Sequence, residues 1–120
     1  MAVTLNLKPA FDSNNVNDFG PAKIEHRTAA SGLAQLGTYF MTFPESGFSE
    51  PWTVQYEETI YVIEGRARLV IIDGETEETL IGDPDELLVL PKGTTVQYGA
   101  LPGTRLLLSI APVNWREAGA

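Results

Sequence analysis

Alternation of apolar and polar positions organises this chain, and a 3.6-residue helical period is almost absent. Val3, Leu5 and Leu7 alternate and predict an edge strand. Residues 24–27 predict a short strand, and 33–43 a longer apolar one with Gly37 as a candidate bulge. After the break at Pro44-Glu45-Ser46-Gly47, Trp52, Val54 and Tyr56 alternate with Thr53 and Gln55. Residues 58–63 and 66–72 predict a hairpin turned at Glu64-Gly65, and Asp73-Gly74 marks the next one. Residues 79–81, 86–90, 94–98 and 104–110 predict the remaining strands. The Asn-, Asp- and Gly-rich stretch 12–21 reads as loop, and 111–115 as a turn or a single helical turn. About nine or ten short strands at this spacing predict an all-β barrel or jelly roll.

Length and composition narrow the function classes. The 120 residues suit one domain, 1–120, with a real core. There are no cysteines, which excludes a disulfide framework, a thiolate metal site and a cysteine nucleophile. A net charge of −8 disfavours phosphate backbones and anionic membranes, so neither nucleic acid nor membrane is an expected partner. No basic-then-apolar leader opens the chain and no apolar run reaches spanning length, so a soluble, cytoplasmic protein is expected.

Two segments carry a resemblance. Glu58-Thr59-Ile60-Tyr61-Val62-Ile63-Glu64-Gly65 resembles the second half of the first cupin motif. Asp85-Glu86-Leu87-Leu88-Val89-Leu90-Pro91-Lys92-Gly93 resembles the second motif, with Asp85 where a glycine is usual. Pro51-Trp52-Thr53, Tyr56-Glu57-Glu58, Pro91-Lys92-Gly93-Thr94-Thr95-Val96, Tyr98-Gly99 and Ala111-Pro112-Val113-Asn114-Trp115 together resemble the C-terminal cupin domain of the ethanolamine-utilisation EutQ family, over roughly residues 40–117. The chain is expected to lack the extra N-terminal region of full-length members. The resemblance implies a cupin jelly-roll barrel, frequently a homodimer, without the usual cupin metal site. It also implies the acetate kinase activity and the role in microcompartment assembly attributed to that family.

Cupins ordinarily place His-x-His shortly before the glutamate and a third His after Pro-x-Gly. Here the first pair falls on Trp52 and Val54, or on Pro51 and Thr53, and the third on Val96; Glu58 alone remains. One carboxylate cannot supply the several N, O or S ligands that Zn²⁺ or Fe²⁺ require. No metal and no other cofactor is therefore expected. The single histidine, His26, lies outside both motifs and reads as an exposed strand residue.

Chemistry without a metal falls to the pocket. With Glu58 inward, Ile60 and Val62 share its face, and Val96 and Tyr98 line the same cavity. An apolar pocket raises a carboxyl pKa and suits Glu58 to acid–base work. Glu58 and Tyr56 are the candidate catalytic residues; Trp52, Thr53, Glu57, Lys92, Val96 and Tyr98 are candidate ligand contacts. The seven acids between Asp73 and Glu86 do not match a calcium loop and read as a solvated hairpin. No Gly-x-x-x-x-Gly-Lys-Ser/Thr phosphate loop is present.

The expected function is metal-independent binding of a small organic molecule, such as an organic acid, with carboxylate catalysis. The alternatives are acetate kinase-type phosphotransfer and a non-enzymatic dimeric scaffold, with residues 3–7 as a candidate exchanged strand.

Overall fold

The computed structural model describes residues 6–118, so Val3 and Leu5 lie outside the described residues. Eleven strands fold into two facing antiparallel sheets: β1 (Val16–Phe19), β2 (Ala22–His26), β3 (Gly37–Phe43), β4 (Gly47–Phe48), β5 (Trp52–Thr53), β6 (Glu57–Glu64), β7 (Ala67–Asp73), β8 (Thr76–Gly82), β9 (Leu87–Leu90), β10 (Thr95–Ala100) and β11 (Thr104–Ala111). One sheet has the order β1-β2-β3-β11-β6-β9, and the other β4-β10-β7-β8, with β5 also pairing β10. A short helix, α1 (Trp115–Ala118), follows. Among the described residues no helix is long and apolar enough to cross a membrane.

Period-two alternation places the core. In β6, Glu58, Ile60 and Val62 face inward while Glu57, Thr59 and Tyr61 face out. Pairing then aligns inward rows across the large sheet. One row is Ile24–Met41–Leu106–Val62, the next is His26–Tyr39–Leu108–Ile60, and the third is Gly37–Ile110–Glu58–Leu90. Leu69, Val96 and Tyr98 of the second sheet close on these rows from the other side, all nearly or wholly buried. The third row carries a carboxyl group into this mostly apolar layer, and this is where the site lies.

The structure departs from the sequence expectations at several elements. Residues 12–21 are not a loop: Asp12 caps a 3₁₀ turn at Ser13–Asn15, and β1 pairs with β2. Backbone pairing to a neighbouring strand overrides the polar composition there. Gly37 is no bulge. It begins β3 in regular register, and a Cβ on it would lie 2.5 Å from Val113 Cγ2. The irregularity falls instead between Arg105 and Leu106, where β11 meets β6. Of the 52–56 alternation only Trp52–Thr53 is strand, because Val54 leaves the ladder to exchange backbone bonds with Thr94 and Gly93. The Asp73↔Thr76 pairing makes Gly74-Glu75 the two-residue loop of the β7–β8 hairpin, with Gly74 at φ 62°. The polar β8 runs longer than expected because it sits at a sheet edge, where outward positions stay solvated.

Gly65 joins β6 to β7 at φ 86°, and a Cβ there would stand 2.2 Å from Thr104 Oγ1 and 2.5 Å from Thr104 Cα. Thr104 is itself buried and accepts a hydrogen bond from the Arg66 amide at 2.9 Å. Gly65→Ala therefore combines left-handed strain with a backbone clash and is expected to cost about 3 kcal/mol in urea unfolding. A loss below about 1 kcal/mol would show that this turn has room to relax.

Candidate functional site

β6 turns Glu58 inward until it is 3% exposed, and β10 turns Tyr98 to meet it from the opposite sheet. The Tyr98 hydroxyl donates to Glu58 Oε1 at 2.6 Å. No cation offsets the carboxylate: among the described residues the ion pairs are Lys23–Asp18, Arg27–Glu25 and Arg66–Asp83. Burial pushes the Glu58 carboxyl up to about 7, and the bond from Tyr98 only partly opposes it. Glu25 is a contrast. Burial pulls its carboxyl up too, but the Arg27 guanidinium and the Asp12 amide hydrogen-bond to it and hold it below the usual range.

Aromatic side chains wall the space beside Glu58. Trp52 Nε1–H donates to the Tyr56 hydroxyl at 3.1 Å. Trp115 packs edge-on to Trp52 and tilted against Tyr56, both at 5.5 Å between ring centroids. Burial, reinforced by the charge of Glu58, pushes the Tyr56 phenol up to about 12. Tyr98 is driven further up by burial and by Glu58, and meets Phe19 edge-on at 5.5 Å. Gly37 is what allows Trp115 to arrive. The space left by its missing side chain admits Val113, whose amide donates to Gln35 O at 2.7 Å, and the chain then carries α1 across the mouth. Arg116 lies at that mouth with its guanidinium 4.3 Å from the Trp115 ring centroid.

The result is a cleft of about 490 Å³ between the two sheets. It brings together four of the residues expected from sequence: Trp52, Tyr56, Glu58 and Tyr98. The others stand elsewhere. Val96 is wholly buried between Trp52 and Ile71 and does not line the cleft. Thr53 is exposed, with its hydroxyl 2.7 Å from that of Thr95. Glu57 faces out, beside a separate depression with Leu36 and Val89. Lys92 is exposed in the turn after β9.

The cleft also holds Asn17, Asp18, His26, Tyr39, Trp115 and Arg116, which sequence reasoning did not select. His26 is not an exposed strand residue. It is half-buried, stacked on Tyr39 at 4.3 Å, and its Nε2 is buried without a hydrogen-bond partner among the described residues. Burial lowers its pKa. Its spacing from Ile24, two residues back on the same strand, was the available signal.

These residues do not fit the metal of an ordinary cupin. Val54 and Val96 are fully buried hydrocarbons, and the single indole nitrogen of Trp52 is a donor already engaged with Tyr56. Among the described residues no three His, Cys, Asp or Glu side chains converge.

Two facing antiparallel sheets with a cleft between them define a cupin jelly roll, and solved structures share this fold. An oxalate decarboxylase OxdC variant of Bacillus subtilis superposes with a TM-score of 0.75 at 19% identity, covering 93% of this chain and 31% of that one. The EutQ protein of Clostridium difficile superposes with a TM-score of 0.65 at 24% identity, covering 91% of this chain and 83% of that one. In sequence, the acetate kinase EutQ of Salmonella typhimurium is 30% identical over 84 residues, which are 70% of this chain and 34% of that protein. This chain thus spans about a third of that relative's length. The family described as "Ethanolamine utilisation protein EutQ" matches residues 4–117, and the chain belongs to it.

The raised Glu58 carboxyl makes stability depend on pH. The folded state holds the proton more tightly than the unfolded chain. The contribution of Glu58 is therefore complete below pH 4.5 and is lost as pH rises through about 7. The loss is on the order of 3 kcal/mol. Glu58→Gln stays neutral throughout. It is expected to match the parent near pH 4 and to exceed its stability at pH 8 by on the order of 2–3 kcal/mol in chemical unfolding. Equal stability at pH 8 would place an unrecognised counter-charge beside Glu58.

Proposed function

We propose that this chain is a metal-independent cupin that binds a small organic molecule in the Trp52–Tyr56–Trp115 cleft and uses Glu58 as a general acid or base. The observation that carries the reading is the Glu58–Tyr98 pair in the cleft, buried and without a cation. A carboxyl near 7 has both protonation states populated at neutral pH, which is where proton transfer is most effective. Tyr98 holds the carboxyl in one orientation through Oε1, so a proton would move through Oε2. The aromatic walls exclude water and supply apolar contact area.

The EutQ relatives named acetate kinases support a second reading, phosphotransfer between acetyl phosphate and a nucleotide with Mg²⁺. One experiment separates the two. Both tryptophans of the chain, Trp52 and Trp115, line the cleft, so a ligand there perturbs intrinsic fluorescence directly. A panel of organic acids, acetyl phosphate and Mg²⁺-nucleotides is read by fluorescence and melting temperature. The first reading expects an organic acid to change the tryptophan emission and raise the melting temperature, by about 2.7 kcal/mol of stability at 100 times its Kd. It expects Glu58→Gln to flatten the pH dependence of that binding around pH 7. A response confined to acetyl phosphate or Mg²⁺-nucleotide would replace it with phosphotransfer, and no response to any compound would contradict both.

A further inference from the structure

Glu58 and Tyr98 pair with each other in the cleft, while Arg116 and Tyr39, which also line it, have no hydrogen-bond partner among the described residues. The chain has eight Lys and Arg against sixteen Asp and Glu, and among the described residues Arg116 is the one Lys or Arg lining this cleft. Among the described residues it forms no ion pair and no hydrogen bond. It lies over the face of Trp115, a contact that leaves the N–H edge of the guanidinium open. The Tyr39 hydroxyl also makes no hydrogen bond among the described residues. Its ring leans toward Gly37, with Cε1 3.1 Å from where a glycine Cβ would stand, and Gly37 shares an inward row with Ile110 and Glu58. Tyr39 thus lies between the two charges: burial raises its pKa, Arg116 pulls it back, and Glu58 pushes it further up.

We propose that Arg116 and Tyr39 form an anion-recognising pole at the mouth of the cleft, and that the ligand is a small monocarboxylate with an apolar body. This rests on the ligand-cleft reading above. A carboxylate accepts two parallel N–H bonds from a guanidinium and one O–H bond from a phenol. Ionised Glu58 repels a carboxylate with no cation between them, so the Arg116 side of the cleft is favoured over the Glu58 side. The orientation follows. The carboxylate lies at Arg116 and Tyr39, the apolar middle lies along Leu108 and Ile110, and the far end reaches Glu58. A second negative charge on the ligand would meet Glu58 or the acidic surface of the chain, which selects monoanions over phosphate monoesters.

Calorimetric titration of the full chain with acetate, butyrate and phenylacetate, each beside its neutral amide, tests this. At least one acid is expected to bind tenfold or more tighter than its amide. Arg116→Gln is expected to weaken that acid by about tenfold to a hundredfold while leaving the amide unchanged, since a hydrogen bond to a charged group carries that much. Tyr39→Phe is expected to weaken it several-fold. Equal binding of acid and amide, or an unchanged acid affinity in Arg116→Gln, overturns the anion pole; the cleft reading then still stands if Glu58→Gln alters binding. The absence of binding by every compound overturns the cleft reading and this inference with it.

Discussion

The hydrogen bond from Tyr98 to Glu58 joins the two sheets where a carboxyl interrupts the apolar core. A carboxyl buried without a cation is costly in its ionised form, so the environment must either donate to it or keep it protonated. The structure does both, with a single phenol on Oε1 and apolar surroundings that shift the carboxyl toward neutrality. The same burial raises the two tyrosines beside it and keeps them as neutral phenols, Tyr98 donating to Glu58 and Tyr56 accepting from Trp52. Glu25 shows that this chain can bury a carboxylate as an ion when an arginine is supplied. That Glu58 lacks one is a feature of its position in the inward rows, between Ile110 and Leu90.

The cleft around this pair depends on backbone space as much as on side chains. Gly37 lets Val113 pass close to β3, and that passage sets Trp115 against Trp52 and Tyr56 and holds Arg116 at the opening. A segment near the C-terminus therefore completes a site whose base is built by β6 and β10. The cleft lining then includes a buried carboxyl, Glu58, and a cation, Arg116, together with aromatic and aliphatic walls. The proposed function assigns proton transfer to the carboxyl and anion recognition to the cation.

Strand alternation made much of this legible. The inward run Glu58, Ile60, Val62 and the pair Val96 and Tyr98 followed from period two, as did the paired strands around Gly65. What alternation could not supply was contact between distant segments. Asp12 to Phe19 looks like loop because its polar residues are solvated, yet its backbone finds β2 as a partner. Tyr39 and His26 sit opposite each other in adjacent strands; alternation puts His26 on the face of Ile24, but that this face is Glu58's side of the sheet follows only from strand pairing. Trp115 and Arg116 reach the mouth only through a close approach at a glycine that, read alone, resembles a bulge. Lys92 and Glu57 carry suitable chemistry but lie on outward positions, where the turn after β9 and the pleat of β6 direct them.

The protonation of Glu58 is the quantity on which the account turns, and it can be measured without a ligand. Side-chain carboxyl carbons can be followed by NMR across pH 3 to 9, with Glu58 assigned by its absence in Glu58→Gln. The account predicts a midpoint near 7 for Glu58. A midpoint at the ordinary glutamate value of 4.5 would mean that the carboxyl is solvated or paired, and would contradict an acid–base role for this site.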